Sequence, residues 1–362
     1  MVTLHTTNKT EHIETRAAVE TAVIIKLGLD LHAEQVTVCR QVDGRLPQPS
    51  QRLTEEQLLR LVRGHLDRGE KVYSCYEAGP CGYGLHRKLT AMGAINDVVA
   101  PQRWDEHGQR VKTDGRDARE LCQRLDRYVR GNTDAFTVVR VPTPEQEQIR
   151  ALGRQRALVL KERQRCELRG HGLMLAQGCQ APSGWWEPAV WGELAPHLPP
   201  WLREHVGRWQ RQAVGLESEL AQLTPRLAAL SAGQRAPKGL GALTHALLES
   251  EILDWSRFTN RRQPASYTGL CPSEASSGNR RRQGSVTKHG NPRVRHLLVE
   301  ATWRMLEWPP DYPPLRPVRA ARGKRARKRT VVAAARRLVV DLWRIRTGRQ
   351  TPEQLKLLMT DL

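Results

Sequence analysis

The sequence has no cysteine pair in C-x-x-C spacing, no apolar run near the roughly 18 residues that span a bilayer, and too few acids to balance its bases. Its seven cysteines, at positions 39, 75, 81, 122, 166, 179 and 271, are odd in number and scattered. They read as reduced thiols, mostly core filler, which excludes a cysteine zinc site and a disulfide framework. No signal-peptide core precedes the first strand-like segment, so a cytoplasmic, soluble protein without membrane association is expected. The acid deficit says most: 58 Lys and Arg against 38 Asp and Glu leave a net charge of +20. That excess points to nucleic acid as the partner and to a nucleoid-associated setting.

Periodicity divides the 362 residues into regions. Residues 1–20 are polar and aperiodic and read as a disordered leader. An α/β domain is expected over 21–142. There "AVIIKLGLDLH" is an apolar run ending at Asp30, and "EQVTVCRQVDG" alternates before an Asp-Gly turn, which suggests two adjacent strands. "LTEEQLLRLVRGHL" has Thr54 and Gln57 in capping-box spacing for a helix. "KVYSCYEA" reads as a strand ending on Glu77, "INDVVAP" as another, and "DGRDARELCQRL" starts a helix. Strands first, then strands alternating with helices, predict a sheet of mixed order.

Over 143–232 the chain becomes charged and helical. Trp209, Ala213, Leu216, Leu220, Leu223, Leu227 and Leu230 alternate four and three apart, a heptad seam. It predicts a coiled-coil hairpin with an earlier helix near 145–176, serving dimerisation. Pro225 inside the seam predicts a kinked last turn or an early end. The Trp- and Pro-rich segment 181–201 fits the hairpin tip as a packed lid. A mostly α domain is expected over 233–350, with a tail over 351–362. Gly239 and Gly241 sit where a tight turn feeds a helix, which can offer N–H groups to a phosphate or simply allow close packing. The basic run with Lys324, Arg325, Arg327, Lys328 and Arg329 reads as phosphate-neutralising.

Four acids stand out by position. Asp30 and Glu77 end strands, and Asp114 and Asp117 lie three apart at a helix start, on one face. Carboxylates at strand ends and on a facing helix converge above a sheet, and hard cations such as Mg²⁺ take oxygen ligands of this kind. A pair of such metals serves phosphodiester chemistry. The same acids can instead cap the helix, favour its dipole or simply end strands. His32, two beyond Asp30, shares its strand face. Further on, residues 269–298 are too polar for a core and too interrupted for one regular element, as a segment touching a charged ligand would be.

"GLDLH", "YEAGPCGYGLHRKL" and "VVAPQRWDEHGQRVKTDGRDARELCQRL" resemble the three blocks of the DEDD, RuvC-like (RNase H fold) domain of the IS one-ten family of transposases. "RFTNRRQPASYTGLCPSEASSGNRRRQGSVTKHGNPRVRHLLVEATW", with its P-x-x-x-x-S-G and K-x-G-N segments, resembles that family's second domain. "RKRTVVAAARRLVVDLWRIRTG" resembles its closing helix. The resemblance implies that Asp30, Glu77, Asp114 and Asp117 bind Mg²⁺ or Mn²⁺ and that Ser277 is the nucleophile, forming a phosphoserine–DNA intermediate. Ser276 is the adjacent alternative, while Ser273 and Ser285 read as turn-forming or phosphate-contacting hydroxyls. Arg280, Arg281, Arg282, Lys288, Arg293 and Arg295 flank the serine and would hold phosphates; His289 is a candidate general base. The resemblance further implies double-stranded donor and target DNA, a structured non-coding guide RNA, and a homo-oligomer, a dimer assembling to a tetramer. The rival readings are an RNase H-fold junction-resolving or repair nuclease using metal-activated water, and a non-catalytic nucleic-acid-binding protein.

Overall fold

A computed structural model describes residues 22–101, 113–277, 280, 282–308 and 311–362. The expected leader over 1–20 and Arg281 lie outside the described residues. The chain divides into two units, Met1–Val141 and Pro142–Leu362.

The first unit is a mixed α/β fold. Its strands are β1 (Ile24–Leu31), β2 (Val36–Val42), β3 (Gln51–Leu53), β4 (Lys71–Glu77) and β5 (Ile95–Val99), in the order β3-β2-β1-β4-β5. β1 runs antiparallel to β2 and parallel to β4, and β4 runs parallel to β5. The side chains of β1 alternate between faces. Ile25, Leu27 and Leu29 join a core with Leu58 and Val62 of α1 (Glu55–Asp67) and Leu85 and Leu89 of α2 (Gly84–Ala91). The capping box of α1 forms as its spacing predicts, with Thr54 Oγ1 accepting from the Gln57 amide and Gln57 Oε1 from the Thr54 amide.

The other face of β1 carries Lys26, Gly28 and Asp30, and α3 (Asp114–Val129) packs against it. Two features bring α3 close. A Cβ on Gly28 would lie 2.2 Å from the Ala118 carbonyl oxygen and 2.3 Å from the Cys122 nitrogen, so the helix backbone rests on bare strand. Further along, the buried Lys26 ammonium pairs with Asp126 at 2.5 Å.

In the second unit, α4 (Pro144–Ala176) and α6 (Pro200–Ala228) form an antiparallel hairpin. Cys166 Sγ meets Gln212 Oε1 near one end, while Arg156 Nε donates to Thr224 Oγ1 near the other. From the heptad seam, Ala213, Leu220, Leu223 and Leu227 are buried, Trp209 and Leu216 are half-buried, and Leu230 is exposed. α6 does not end at Pro225 but continues one turn to Ala228; a proline so near a C-terminus removes only one ladder bond. The tip, with α5 (Pro188–Leu194), is held by tryptophans: Trp185 is buried, donates Nε1–H to the Glu167 carbonyl and lies where a Gly170 side chain would be.

The rest of this unit is built from α7 (Ala242–Ile252), α8 (Arg262–Tyr267), α9 (Pro292–Arg304), α10 (Arg316–Ala320) and α11 (Lys324–Arg346) around one apolar core. Residues 351–362, read from sequence as a tail, fold back onto it. Leu355 and Leu357 enter the core, and β9 (Met359–Asp361) pairs with β6 (Arg235–Pro237). Gly239, with φ +99°, owes its place to packing: a Cβ there would meet Met305 at 2.7 Å. Among the described residues no helix is long and apolar enough to cross a membrane.

Candidate metal centre and serine hairpin

The β1–β4 ladder aligns Leu29 with Tyr76, so Asp30 and Glu77, the next residue of each, stand at the same end of neighbouring parallel strands. α3 starts over that end. Its N-cap is Thr113, which leaves Asp114 as the first helical residue, with its carboxylate turned to other partners. His32 Nε2 lies 3.4 Å from Asp30 Oδ2 and 3.6 Å from Asp114 Oδ1, and Arg52 Nη2 lies 3.3 Å from Asp114 Oδ2. One ligand atom from each of Asp30, His32 and Asp114 falls within 4.8 Å of the others. Asp117, a turn further along α3, acts on Asp30 through its charge. Burial raises the Asp30 carboxyl above its ordinary value, and Asp117 and Asp114 add to this while His32 opposes it. A half-buried carboxylate facing two others is the electrostatic setting a divalent cation relieves, and the oxygen donors match a hard metal.

The polar stretch of the second unit is a hairpin. β7 (Pro272–Glu274) and β8 (Gln283–Val286) pair antiparallel through a bulge. The ladder extends outward through Ala275 N–H to the Arg282 carbonyl, and then Ser277 and Arg280 exchange both backbone bonds at 3.3 and 3.2 Å. The two adjacent serines differ. Ser276 Oγ donates to the Glu274 carboxylate and accepts from the Arg282 amide, so it closes the ribbon. Among the described residues Ser277 is tied by its backbone alone. Arg280 and Arg282 are exposed beside it.

The K-x-G-N segment forms the root of this hairpin. A Cβ on Gly290 would lie 2.4 Å from the Tyr267 carbonyl oxygen and 2.7 Å from the Gly269 nitrogen, so the two strands cross where neither has a side chain. Asn291 donates its amide to the Tyr267 carbonyl, accepts on Oδ1 from the Arg293 and Val294 amides to cap α9, and donates Nδ2–H to Glu251 and Tyr267 Oη. Arg295 donates to the Thr268 and Lys288 carbonyls, which gives it a stapling role across the root. Lys288, His289 and Arg293 are exposed there. His289 stands at the root of the hairpin and Ser277 near its tip. Lys324, Arg325, Arg327, Lys328 and Arg329 form an exposed first turn and a half of α11, with Arg327 stacked over Trp303.

Sequence reasoning weighed His32 as a neighbour of the acids but missed Arg52, Gly28 and Glu251. Gly28 had a signal, being a glycine inside an otherwise apolar strand. Glu251 had none, since "LLESEI" reads as an ordinary helix end.

Comparison with known proteins fits this geometry. Residues 235–313 match the family described as Transposase IS116/IS110/IS902. The Sinorhizobium fredii protein y4rJ, provisionally named a transposase, is 34% identical over 328 residues, covering 80% of each chain. The transposase for insertion sequence element IS1111A of Coxiella burnetii is 24% identical, over 76% of this chain and 79% of its own. That for IS1328 of Yersinia enterocolitica is 26% identical over 60% and 65%. The proteins this chain is similar to are thus named as transposases, two of them for insertion sequence elements. The chain itself belongs to the IS116/IS110/IS902 transposase family.

Proposed function

We propose that the protein is an insertion-sequence transposase that cuts and rejoins DNA strands through Ser277, with divalent metal held by Asp30, Glu77, Asp114 and Asp117. The convergence of Asp30 and Asp114 above the strand ends carries this reading. The strand order β3-β2-β1-β4-β5, with three antiparallel strands followed by parallel ones, supports an RNase H-like first unit. When bound, Mg²⁺ or Mn²⁺ polarises the scissile phosphodiester. Ser277 Oγ then attacks phosphorus and loses its proton, one ester oxygen leaves as a strand hydroxyl, and the phosphoryl group stays on serine. A hydroxyl of another strand reverses the exchange and frees the serine, so rejoining needs no outside energy source. Arg280, Arg281 and Arg282 hold the phosphate as charge develops.

The net charge of +20 suits double-stranded donor and target DNA together with a structured guide RNA encoded by the element. Self-association, as a dimer assembling to a tetramer, would fall to the outward leucines of α4, Leu158, Leu168 and Leu175, because the heptad seam is spent between α4 and α6.

The test is to trap protein–DNA adducts on labelled DNA with Mg²⁺ under denaturing conditions. Wild type and Ser276→Ala form the adduct, while Ser277→Ala and Asp114→Ala do not. Full strand cleavage by Ser277→Ala without adduct would sink the serine route in favour of a nuclease using water. No cleavage by any form, with DNA binding untouched in Asp114→Ala, would leave a binding protein.

A further inference from the structure

A buried carboxylate in the second unit gathers more positive charge than it can neutralise. Glu251 of α7 is 5% exposed. Around it stand Arg150 Nη2 at 3.5 Å, Arg154 Nε at 3.5 Å and Arg293 Nε at 3.9 Å. Asn291 Nδ2 donates to it at 3.0 Å. Burial pushes the Glu251 carboxyl up, but the Asn291 bond and the three arginines outweigh it and hold the group below its ordinary range. The cluster therefore carries one negative charge against three positive ones.

The distances are also long. A charge-assisted guanidinium–carboxylate bond closes to about 2.7–2.9 Å, and these contacts stop well short. Arg150 Nε is buried without a hydrogen-bond partner among the described residues. Arg154 and Arg293 are 41% and 51% exposed, so their remaining N–H donors face solvent. Arg293 lies in the first turn of α9, whose dipole also favours an anion.

We infer that Arg150, Arg154 and Arg293, spaced by Glu251, form a phosphate-binding site for a nucleic-acid backbone at the root of the serine hairpin. Glu251 acts as a positioning residue. It keeps three like-charged guanidiniums together while the site is empty, and it ties them to the hairpin through Asn291 and Tyr267, whose Oη donates to the Glu251 carbonyl. Two fork-shaped donors from one face of α4 and one from α9 match the spread oxygens of a phosphodiester better than a point charge would. The site lies away from the serine tip, so its task is to hold a strand, and it rests on the reading that nucleic acid is the partner.

The test is equilibrium binding of the full-length protein to a 20-base-pair DNA duplex and, separately, to an RNA duplex, followed against salt. Arg154→Ala with Arg293→Ala should lower the slope of log K against log[salt] by about 1 to 2, since each lost phosphate contact contributes ~0.9, and should weaken binding about tenfold or more. Arg60→Ala, a surface arginine of α1 paired with Glu56, serves as the control and keeps the wild-type slope. Loss confined to DNA or to RNA identifies which backbone occupies the site. A double variant matching Arg60→Ala on both duplexes overturns the inference while leaving the transposase reading intact. Failure of the wild type to bind either duplex overturns both. Glu251→Gln, folded by circular dichroism, should retain the slope but lose affinity.

Discussion

A methyl group at Gly28 would sit 2.2 Å from the Ala118 carbonyl oxygen and 2.3 Å from the Cys122 nitrogen. Both are backbone atoms of α3, which cannot rotate away as a side chain would. Gly28→Ala must therefore lift α3, and with it Asp114 and Asp117, off the strand end that carries Asp30. Overpacking of this kind costs about 1–3 kcal/mol. Gly115→Ala, in the same helix, meets only Ser50 at 3.6 Å. We expect urea melts to show the Gly28 variant destabilised by that amount and Mn²⁺ titration to show weakened binding, with neither effect in the Gly115 variant. Equal metal affinities would mean that the acids do not depend on this close approach. At this scale the sequence was legible where position marks a residue, as with Asp30 and Asp114, which the structure brings together. It was illegible where a residue serves by absence or by a partner far along the chain, as Gly28 does for Cys122 and Glu251 for Arg150.

Two side chains, Asn291 and Arg295, hold the root of the serine hairpin. Asn291 caps α9 and ties Glu251 to both hairpin ends through its own amide and Tyr267. Asn291→Ala removes the cap, costing ~1 kcal/mol, and removes a hydrogen bond to a buried charge, costing ~1.5–3 kcal/mol more. The expected readout is hydrogen exchange: the amides of Thr287, Lys288 and Asn291, which hold the root ladder, should exchange faster, while those of α6 stay protected. Unchanged exchange at the root would show that the Gly269–Gly290 crossing suffices by itself. Elements with a strong period were readable in advance, and so was the capping box before α1. Short, non-local pairings were not, because β6 and β9 are three residues each and lie over a hundred residues apart. The seam of α6 was visible as a period, and so was its pairing with the helix near 145–176, because two long helices joined by a short tip have each other to bury their apolar faces against.

Each unit carries its own apolar core, so the whole molecule should melt in two steps that answer to different ligands. All four acids lie in the first unit, so saturating Mn²⁺ should raise only that transition, by ~2.7 kcal/mol at a hundredfold excess over its dissociation constant. Asp114→Ala should abolish the rise. The second unit holds a proton-sensitive lock. The buried Ser231 hydroxyl donates to the Ala242 carbonyl at 3.1 Å, so it must accept from His245 Nδ1–H at 2.8 Å. That leaves His245 Nε2 unprotonated toward Arg346, with Glu249 3.6 Å away. The polarity is the reverse of an activated serine, and the grouping is structural. Burial lowers the His245 pKa, Glu249 opposes this and Arg346 adds to it. The unfolded histidine therefore binds its proton first, near its ordinary value of about 6.5. The stability this neutral imidazole contributes is complete above that value and is lost as pH falls toward the depressed folded one. Calorimetry between pH 7.5 and 5.5 should show the second transition falling, and His245→Gln should flatten the response. A fall that survives His245→Gln would assign the sensitivity to another group in that unit.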